Sequence, residues 1–258
     1  MNRKSPSYWW APIAAVVSLL LIWQLICSLG FVPENLLPKP TSVGLRLWQE
    51  IQKGKLLAST ASTAFAAVVG CLVAALLALP LGYLIANYRF FASFSAPLIA
   101  ASQAIPAVAI APLLVIWVGY GFTPIVTLCV ILVFFPMVLS TVLGLRELDN
   151  EVVEAALLDG AAGWKLLRHI QFPLALPSIM TGLRNGFTLS ITGAIVGEFV
   201  MGGEGLGMVV AVQTATSDTT GLFASITLMC LLAVSIYLVF VKLEELVHPL
   251  RQTKEFRK

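Results

Sequence analysis

Residue types that commonly do chemistry are few in this 258-residue sequence. The two histidines, His169 and His248, lie far apart, and the four cysteines form no Cys-x-x-Cys pair, so neither a metal site nor a disulfide framework is expected. The sequence has no Gly-x-x-x-x-Gly-Lys-Ser/Thr phosphate loop, so we do not expect this chain to hydrolyse ATP. It therefore predicts no catalytic site and no cofactor in this chain.

Polar side chains within otherwise apolar segments are stronger candidates for a function. They are Ser102, Gln103, Thr181, Asn185, Thr188, Thr192 and Glu198. The first two precede a proline, Pro106, that should break a helix. The next four are spaced by four, three and four residues, which places them on one helical face as a polar stripe. Such a stripe fits either a substrate pathway or hydrogen bonding between helices.

Two ionisable residues share that segment with the stripe. Glu198 is the one acid within it, and a carboxylate in an apolar span is costly enough to indicate a function. A gating or structural hydrogen bond, a substrate contact, or simple access to the headgroup region beyond Met201 would each account for it. Arg184 fits either a snorkelling anchor or a ligand for an anionic substrate. Small residues recur every four positions on another face and predict close helix packing: Gly182, Gly186, Ser190 and Ala194.

The composition requires these residues to be positioned by a membrane-embedded bundle. Charged residues make up 11% of the chain, hydrophobic residues 59%, and the mean hydropathy is +0.92. Four stretches carry no Asp, Glu, Lys or Arg: 5–33, 56–88, 90–145 and 219–241. Each is longer than the roughly 20 residues with which a helix crosses a bilayer. This pattern excludes a soluble enzyme, a nucleic-acid-binding module and a disordered chain.

The fold expected is therefore an all-α integral membrane protein with six transmembrane helices. The predicted spans are approximately 9–30, 60–86, 96–118, 124–145, 179–201 and 222–246. A glycine-rich turn at 119–124 divides the 56-residue uncharged run. The domains expected are an N-terminal anchor with an outer amphipathic segment at 1–55, a core with five transmembrane helices at 56–246, and a tail at 247–258.

The distribution of basic residues predicts the orientation. Twelve of the 16 Lys and Arg residues fall on the side of the termini and of the loop 146–178, which places these segments in the cytoplasm. The other four lie in one loop on the opposite side: Lys39, Arg46, Lys53 and Lys55. Within that loop, residues 41–53 are amphipathic and predict a short helix lying on the outer membrane surface.

The loop 146–178 is too long for a simple connector and predicts a helical hairpin. Asp149 or Asn150 can cap a first helix, and Gly160 can end it. A second short helix follows Gly163 and should be stopped by the prolines at 173 and 177. Such a hairpin exposes apolar side chains unless it docks in a partner's groove or folds against the chain's own helix ends.

The hairpin carries a recognisable pattern. Glu154-Ala155-Ala156, Gly160 and the segment Ile170-Gln171-Phe172-Pro173 resemble the EAA signature of bacterial ABC importer permeases. The family pattern ends in Leu-Pro, whereas this chain has Phe-Pro. The resemblance covers roughly 55–245 and implies a type I importer permease fold whose coupling helices dock on an ATPase. It implies that Glu154 meets a cationic or amide group, that Ala155 and Ala156 permit close approach, and that Gly160 allows the turn.

The resemblance also implies partners. These are an ABC ATPase that binds ATP and Mg²⁺, an extracytoplasmic solute-binding protein, and a second permease chain, identical or related, in the bacterial inner membrane. The chain looks most like the branch that moves sulfonates, taurine, nitrate, thiamine-pyrimidine precursors and riboflavin. The alternative is an ion-coupled secondary transporter or channel, a class that usually carries several ionisable groups within its spans. Nucleic acid is not an expected partner.

Overall fold

A computed structural model describes residues 10–30 and 32–247 of the chain. The described residues form helices and no strand. The helices are α1 (Ala11–Ser28), α2 (Pro40–Gln52), α3 (Lys55–Asn87), α4 (Arg89–Ala104), α5 (Ala107–Val118), α6 (Phe122–Arg146), α7 (Asn150–Leu158), α8 (Trp164–Leu166), α9 (Phe172–Met201), α10 (Leu206–Ala215) and α11 (Thr219–Val247). A π-helical turn, Leu167–Gln171, joins α8 to α9. The all-helical fold class is thereby confirmed.

Three helices, α3, α6 and α9, form the centre of the bundle and pack through small residues. A Cβ on Gly182 would lie 2.7 Å from the Cβ of Ser140, and one on Gly186 would lie 2.6 Å from the terminal methyl group of Met137. Ser190 is buried on the same ridge and donates a hydrogen bond of 2.7 Å to the carbonyl of Ala67. The close packing predicted for the small-residue ridge of α9 is confirmed.

The number of membrane spans is less regular than predicted. Among the described residues, α3, α6 and α11 are each long and apolar enough to cross a bilayer, and α9 with α10, bent by 44°, makes up to four such segments. The apolar parts of α1 and α5, Ile13–Ser28 and Ala107–Val118, are shorter. The expected third span, 96–118, is not one helix, because α4 ends at Ala104 and α5 begins after Pro106. Six spans remain a prediction.

The prediction that Pro173 and Pro177 stop the second hairpin helix is wrong. The chain runs without a break from α8 through the π-helical turn into α9. In the π-helical turn the amide of Phe172 bonds to the carbonyl of Leu167, five residues earlier. In a π-helical turn the backbone hydrogen bonds span five residues instead of four. This wider spacing suits a proline, which has no N–H to donate and whose ring crowds the preceding carbonyls. Both prolines are therefore accommodated within a continuous helix.

The amphipathic helix predicted at 41–53 is present as α2, but it packs on protein. Val43 is buried, and the Arg46 guanidinium lies 2.8 Å from the Asp218 carboxylate at the start of α11. Trp48 stays exposed, so only part of the predicted apolar face is covered. The N-terminal basic residues and the tail beyond position 247 lie outside the described residues. The division of the chain into three domains remains a prediction.

We expect Gly70→Ala to destabilise the bundle, because the added methyl group would overlap the Cβ of Cys129 where α3 meets α6. Overpacking of this kind costs about 1–3 kcal/mol. Gly44→Ala in α2 is the matched control, because its Cβ would meet no atom within 4 Å. Thermal melting of the two purified variants in lipid nanodiscs measures the difference. Equal melting temperatures would contradict the close approach of α3 and α6.

Candidate functional site

The most exposed functional element is the hairpin, residues 150–171, at one end of the bundle. Asp149 caps α7 by accepting a 3.0 Å hydrogen bond from the amide of Glu151, as predicted. Gly160 follows the helix with φ +81°, a left-handed conformation that glycine adopts without strain. The amide of Ala161 bonds to the carbonyl of Ala156 and closes the turn. These contacts fix the direction in which the chain leaves α7.

The signature residues occupy two levels of this hairpin. Glu154, Ala155 and Gly160 are exposed and Ala156 is half-buried on α7 and its turn. Ile170 and Pro173 are half-buried lower down, where the π-helical turn enters α9. No residue of α7 is buried. The signature therefore runs from the hairpin tip to the base of a central helix.

The tip of the hairpin presents apolar side chains that no described residue covers. Leu158 is 89% exposed and Trp164 is 69% exposed. The Glu154 carboxylate has no hydrogen bond or ion pair with any described residue. A hairpin that exposes two large apolar side chains and an unpaired carboxylate is suited to binding a protein partner. The alternative, in which the hairpin folds against the chain's own helix ends, does not describe this tip.

The polar stripe of α9 lies on the face opposite its packed ridge. Asn185, Thr188 and Thr192 are exposed, and the two threonine hydroxyls bond to carbonyls one turn earlier in their own helix. Thr181, at the hairpin end of the stripe, is half-buried and lies 3.1 Å from the Glu244 carboxylate. The structure thus keeps three of the four stripe residues on one uncovered surface. Ser102 and Gln103 lie in the last turn of α4, on a separate element.

Arg184 is neither a snorkelling anchor nor a free cation in this structure. Its guanidinium lies 2.9 Å from the Glu244 carboxylate of α11 and 5.3 Å from the centre of the Tyr237 ring. Both partners of the ion pair are about one-fifth exposed. This pairing could not be predicted from local patterns, because the two residues are 60 positions apart. The pair ties α9 to α11 near the hairpin end.

Glu198 is enclosed by protein at the other end of α9. Its side chain is 1% exposed, and its carboxylate accepts hydrogen bonds from Thr63 of α3 and from the amide of Gly207. It does not reach a surface where headgroups lie. Of the roles open to it, a structural hydrogen bond is the one that this geometry fits. Thr63 was not singled out in the sequence, where it looks like an ordinary small residue in an apolar run.

The pattern that defines binding-protein-dependent transport system inner membrane components matches residues 78–249 of the chain, two-thirds of its length. A riboflavin transport system permease of Chloroflexus aurantiacus is 38% identical over 95% of this chain and 92% of its own length. The chain belongs to the ABC importer permeases. It lies in the branch that holds thiamine-precursor and sulfonate permeases.

Further comparisons agree with that assignment. A formylaminopyrimidine transport permease of Halalkalibacterium halodurans is 32% identical to this permease over 93% of its chain and 96% of the relative. The fold matches the inward-facing MetNI methionine ABC transporter with a TM-score of 0.69, at 19% identity, over 77% of this chain and 98% of the other. The permease therefore has a type I importer fold. Its described residues contain no cluster of three or more His, Cys, Asp or Glu that could hold a metal ion.

We expect Glu244→Ala to destabilise the permease, because it leaves the partly buried Arg184 without its carboxylate partner. The Nε atom of Arg184 already lacks a hydrogen-bond acceptor within the described residues. No other described acceptor therefore replaces the Glu244 carboxylate when it is removed. We expect the free energy of unfolding to fall by about 1–2 kcal/mol, which lies between the values for exposed and buried ion pairs. Lys242→Ala, an exposed position on the same helix, is the control. A thermal melt in which both variants match the unsubstituted permease would refute this role.

Proposed function

We propose that this permease works in an ATP-driven importer whose separate ATPase subunit docks on the hairpin at the cytoplasmic face. The observation that carries the proposal is the hairpin tip, where Leu158 and Trp164 are exposed and the Glu154 carboxylate has no partner among the described residues. Three basic residues of the described chain support the orientation, because Arg146 precedes the hairpin and Lys165 and Arg168 lie within it. Hydrolysis of ATP with Mg²⁺ belongs to the ATPase, and both termini of the permease are cytoplasmic.

The continuous helix from the hairpin into the bundle supports a mechanical role. The base of the hairpin enters α9 through the π-helical turn without an intervening loop. A displacement of the hairpin therefore shifts α9, and with it the packed centre formed with α3 and α6. We propose that the ATPase moves the bundle between inward-open and outward-open arrangements in this way. An extracytoplasmic solute-binding protein delivers the solute to the outward-open one.

We propose that a second, identical permease chain faces the exposed stripe of α9. The ridge face of α9 is packed against α3 and α6, whereas Asn185, Thr188 and Thr192 point away from them. Two such stripes facing each other would line one pathway with amide and hydroxyl groups. The Asn185 amide has no hydrogen bond with any described residue, and an amide within an apolar span needs water or protein as a neighbour, which supports a pathway over contact with lipid.

We propose a small heterocyclic vitamin or vitamin precursor as the solute. The riboflavin and formylaminopyrimidine permeases are similar to this chain over nearly its whole length. The stripe offers uncharged hydrogen-bonding groups, and the charge of Arg184 is engaged by Glu244. Both features favour a solute without charged groups over a sulfonate, taurine or nitrate. Uptake of labelled riboflavin, formylaminopyrimidine and an alkyl sulfonate by cells carrying the complete transporter tests this choice, and uptake of the sulfonate alone would refute it.

We expect Glu154→Arg to abolish capture of the ATPase by the tagged permease, because it reverses an exposed charge of α7 that no described residue pairs. Gly160→Pro should do the same, since proline cannot adopt φ +81°. Glu147→Arg is the matched control, an exposed carboxylate just outside the hairpin. Co-purification from membranes measures the bound ATPase. Full capture by Glu154→Arg and Gly160→Pro would refute docking on the hairpin.

We expect Asn185→Leu to lower solute uptake at least about tenfold while the amount of bound ATPase stays unchanged. Leucine lacks the side-chain amide that hydrogen-bonds solute or water. One lost hydrogen bond in a site of this kind costs about 1–3 kcal/mol. Asn87→Leu is the control, because Asn87 is exposed at the end of α3, away from the stripe. Normal uptake by Asn185→Leu would remove the stripe from the pathway.

A further inference from the structure

The first turn of α10 is held by groups from two other helices. The amide of Leu206 donates a 2.8 Å hydrogen bond to the Thr63 hydroxyl of α3. The amide of Gly207 donates one of 2.9 Å to Oε2 of Glu198 on α9. The Thr63 hydroxyl lies 2.8 Å from the same oxygen and can donate to it. We call this closed set, formed by Thr63, Glu198 and the amides of Leu206 and Gly207, the three-helix cap.

The three-helix cap replaces the usual cap of a helix start. Free amides in the first turn are commonly satisfied by a side chain of the residue just before the helix. Here that residue is Gly205, which has no side chain to offer. Because Thr63 and Glu198 supply the acceptors instead, the start of α10 is bonded to α3 and α9 at once. All of these groups are buried, so water cannot take their place without a rearrangement.

Glycines make this arrangement possible. A Cβ on Gly205 would overlap the Glu198 carboxylate, and one on Gly207 would overlap the carbonyl of Ile195. The close approach of α10 to α9 therefore requires glycine at both positions. This accounts for two of the four glycines in the segment 202–207, which lacks the spacing of a nucleotide-binding loop.

The three-helix cap lies beneath a cavity of about 600 Å³ between α2, α3 and α10. Ser59 lies one turn of α3 before Thr63 and lines it, as do Gly203 and Gly205 beside Glu198. Met208 and Val212 of α10 form a further wall. The position of α10 relative to α3 thus decides the shape of this cavity.

We infer that Glu198 is a positioning residue for transport. Together with Thr63 it fixes α10 to α3 and α9, so the shape of the cavity changes when α3 and α9 move relative to each other. The inference rests on the proposed function, because it is the hairpin that would displace α9. From Phe172 at the base of the hairpin to Glu198 is 26 residues of one helix, a distance of about 39 Å. Glu198 thereby extends a movement made at the hairpin to the wall of the cavity at the opposite end of the permease.

The first test measures the position of α10 in the complete transporter in nanodiscs. Spin labels are attached to cysteines placed at Leu57 of α3 and Thr214 of α10, both exposed, with the exposed Cys230 replaced by serine. We expect one narrow distance distribution for the otherwise unsubstituted permease. Glu198→Ala should broaden and shift it, and uptake should fall at least about tenfold with ATPase capture unchanged.

Conservative variants separate positioning from general damage. Glu198→Gln keeps an oxygen that can accept from the amide of Gly207, so it should retain the narrow distribution and most of the uptake. Thr63→Ser keeps the hydroxyl and should do likewise, whereas Thr63→Val should reproduce the defect of Glu198→Ala. If Glu198→Ala does not fold, the Thr63 pair provides the same comparison.

The inference is overturned if Glu198→Ala or Thr63→Val leaves both the distance distribution and the uptake unchanged. It is also overturned if Glu198→Gln loses as much uptake as Glu198→Ala. Glutamine keeps the hydrogen-bond acceptor and alanine does not, so a hydrogen-bonding role predicts different uptake for the two variants. Failure of the proposed function looks different. In that case the unsubstituted permease would capture no ATPase, while the spin-label distances would still report whether the three-helix cap holds α10.

Discussion

Glycine and alanine allow the backbones of α3, α6 and α9 to approach so closely that several positions admit no side chain larger than hydrogen. Gly70 and Gly182 lie at such points, against the Cβ atoms of Cys129 and Ser140. In a bilayer, apolar burial gives little advantage to helix association, so close packing and buried hydrogen bonds must supply it. The Ser190 bond to the carbonyl of Ala67 is one of these. Every functional group of the permease is positioned relative to this tightly packed centre.

The two ends of α9 serve different tasks because of how each end is tied. At the hairpin end, the π-helical turn accommodates Pro173 and keeps the helix continuous, and the Arg184–Glu244 ion pair links it to α11. At the other end, the buried carboxylate of Glu198 links it to α3 and α10. Its exposed polar stripe lies between these ties. One helix thus carries the connection to the hairpin, the candidate pathway surface and the attachment of α10.

Local patterns predicted local structure well. The cap by Asp149, the turn at Gly160, the amphipathic helix α2 and the small-residue ridge of α9 all depend on residues within a few positions of one another. The partners of Glu198 and Arg184 could not be predicted, because they lie 135 and 60 positions away. The prediction that the prolines after the hairpin would end the helix failed for another reason. A shift to π-helical hydrogen bonding accommodates them, and the residue types do not predict that shift.

The interruption between α4 and α5 has a consequence for how the permease can be oriented. A helix that ends at Ala104 leaves its last carbonyl oxygens without intrahelical donors, and Pro106 has no amide to offer them. Ile105 and Pro106 lie on the surface of the single chain. Acyl chains cannot solvate bare carbonyl oxygens, so this flank must turn towards protein or a hydrated interior. The carbonyl oxygens at the end of α4 therefore limit how the bundle can be rotated about the membrane normal.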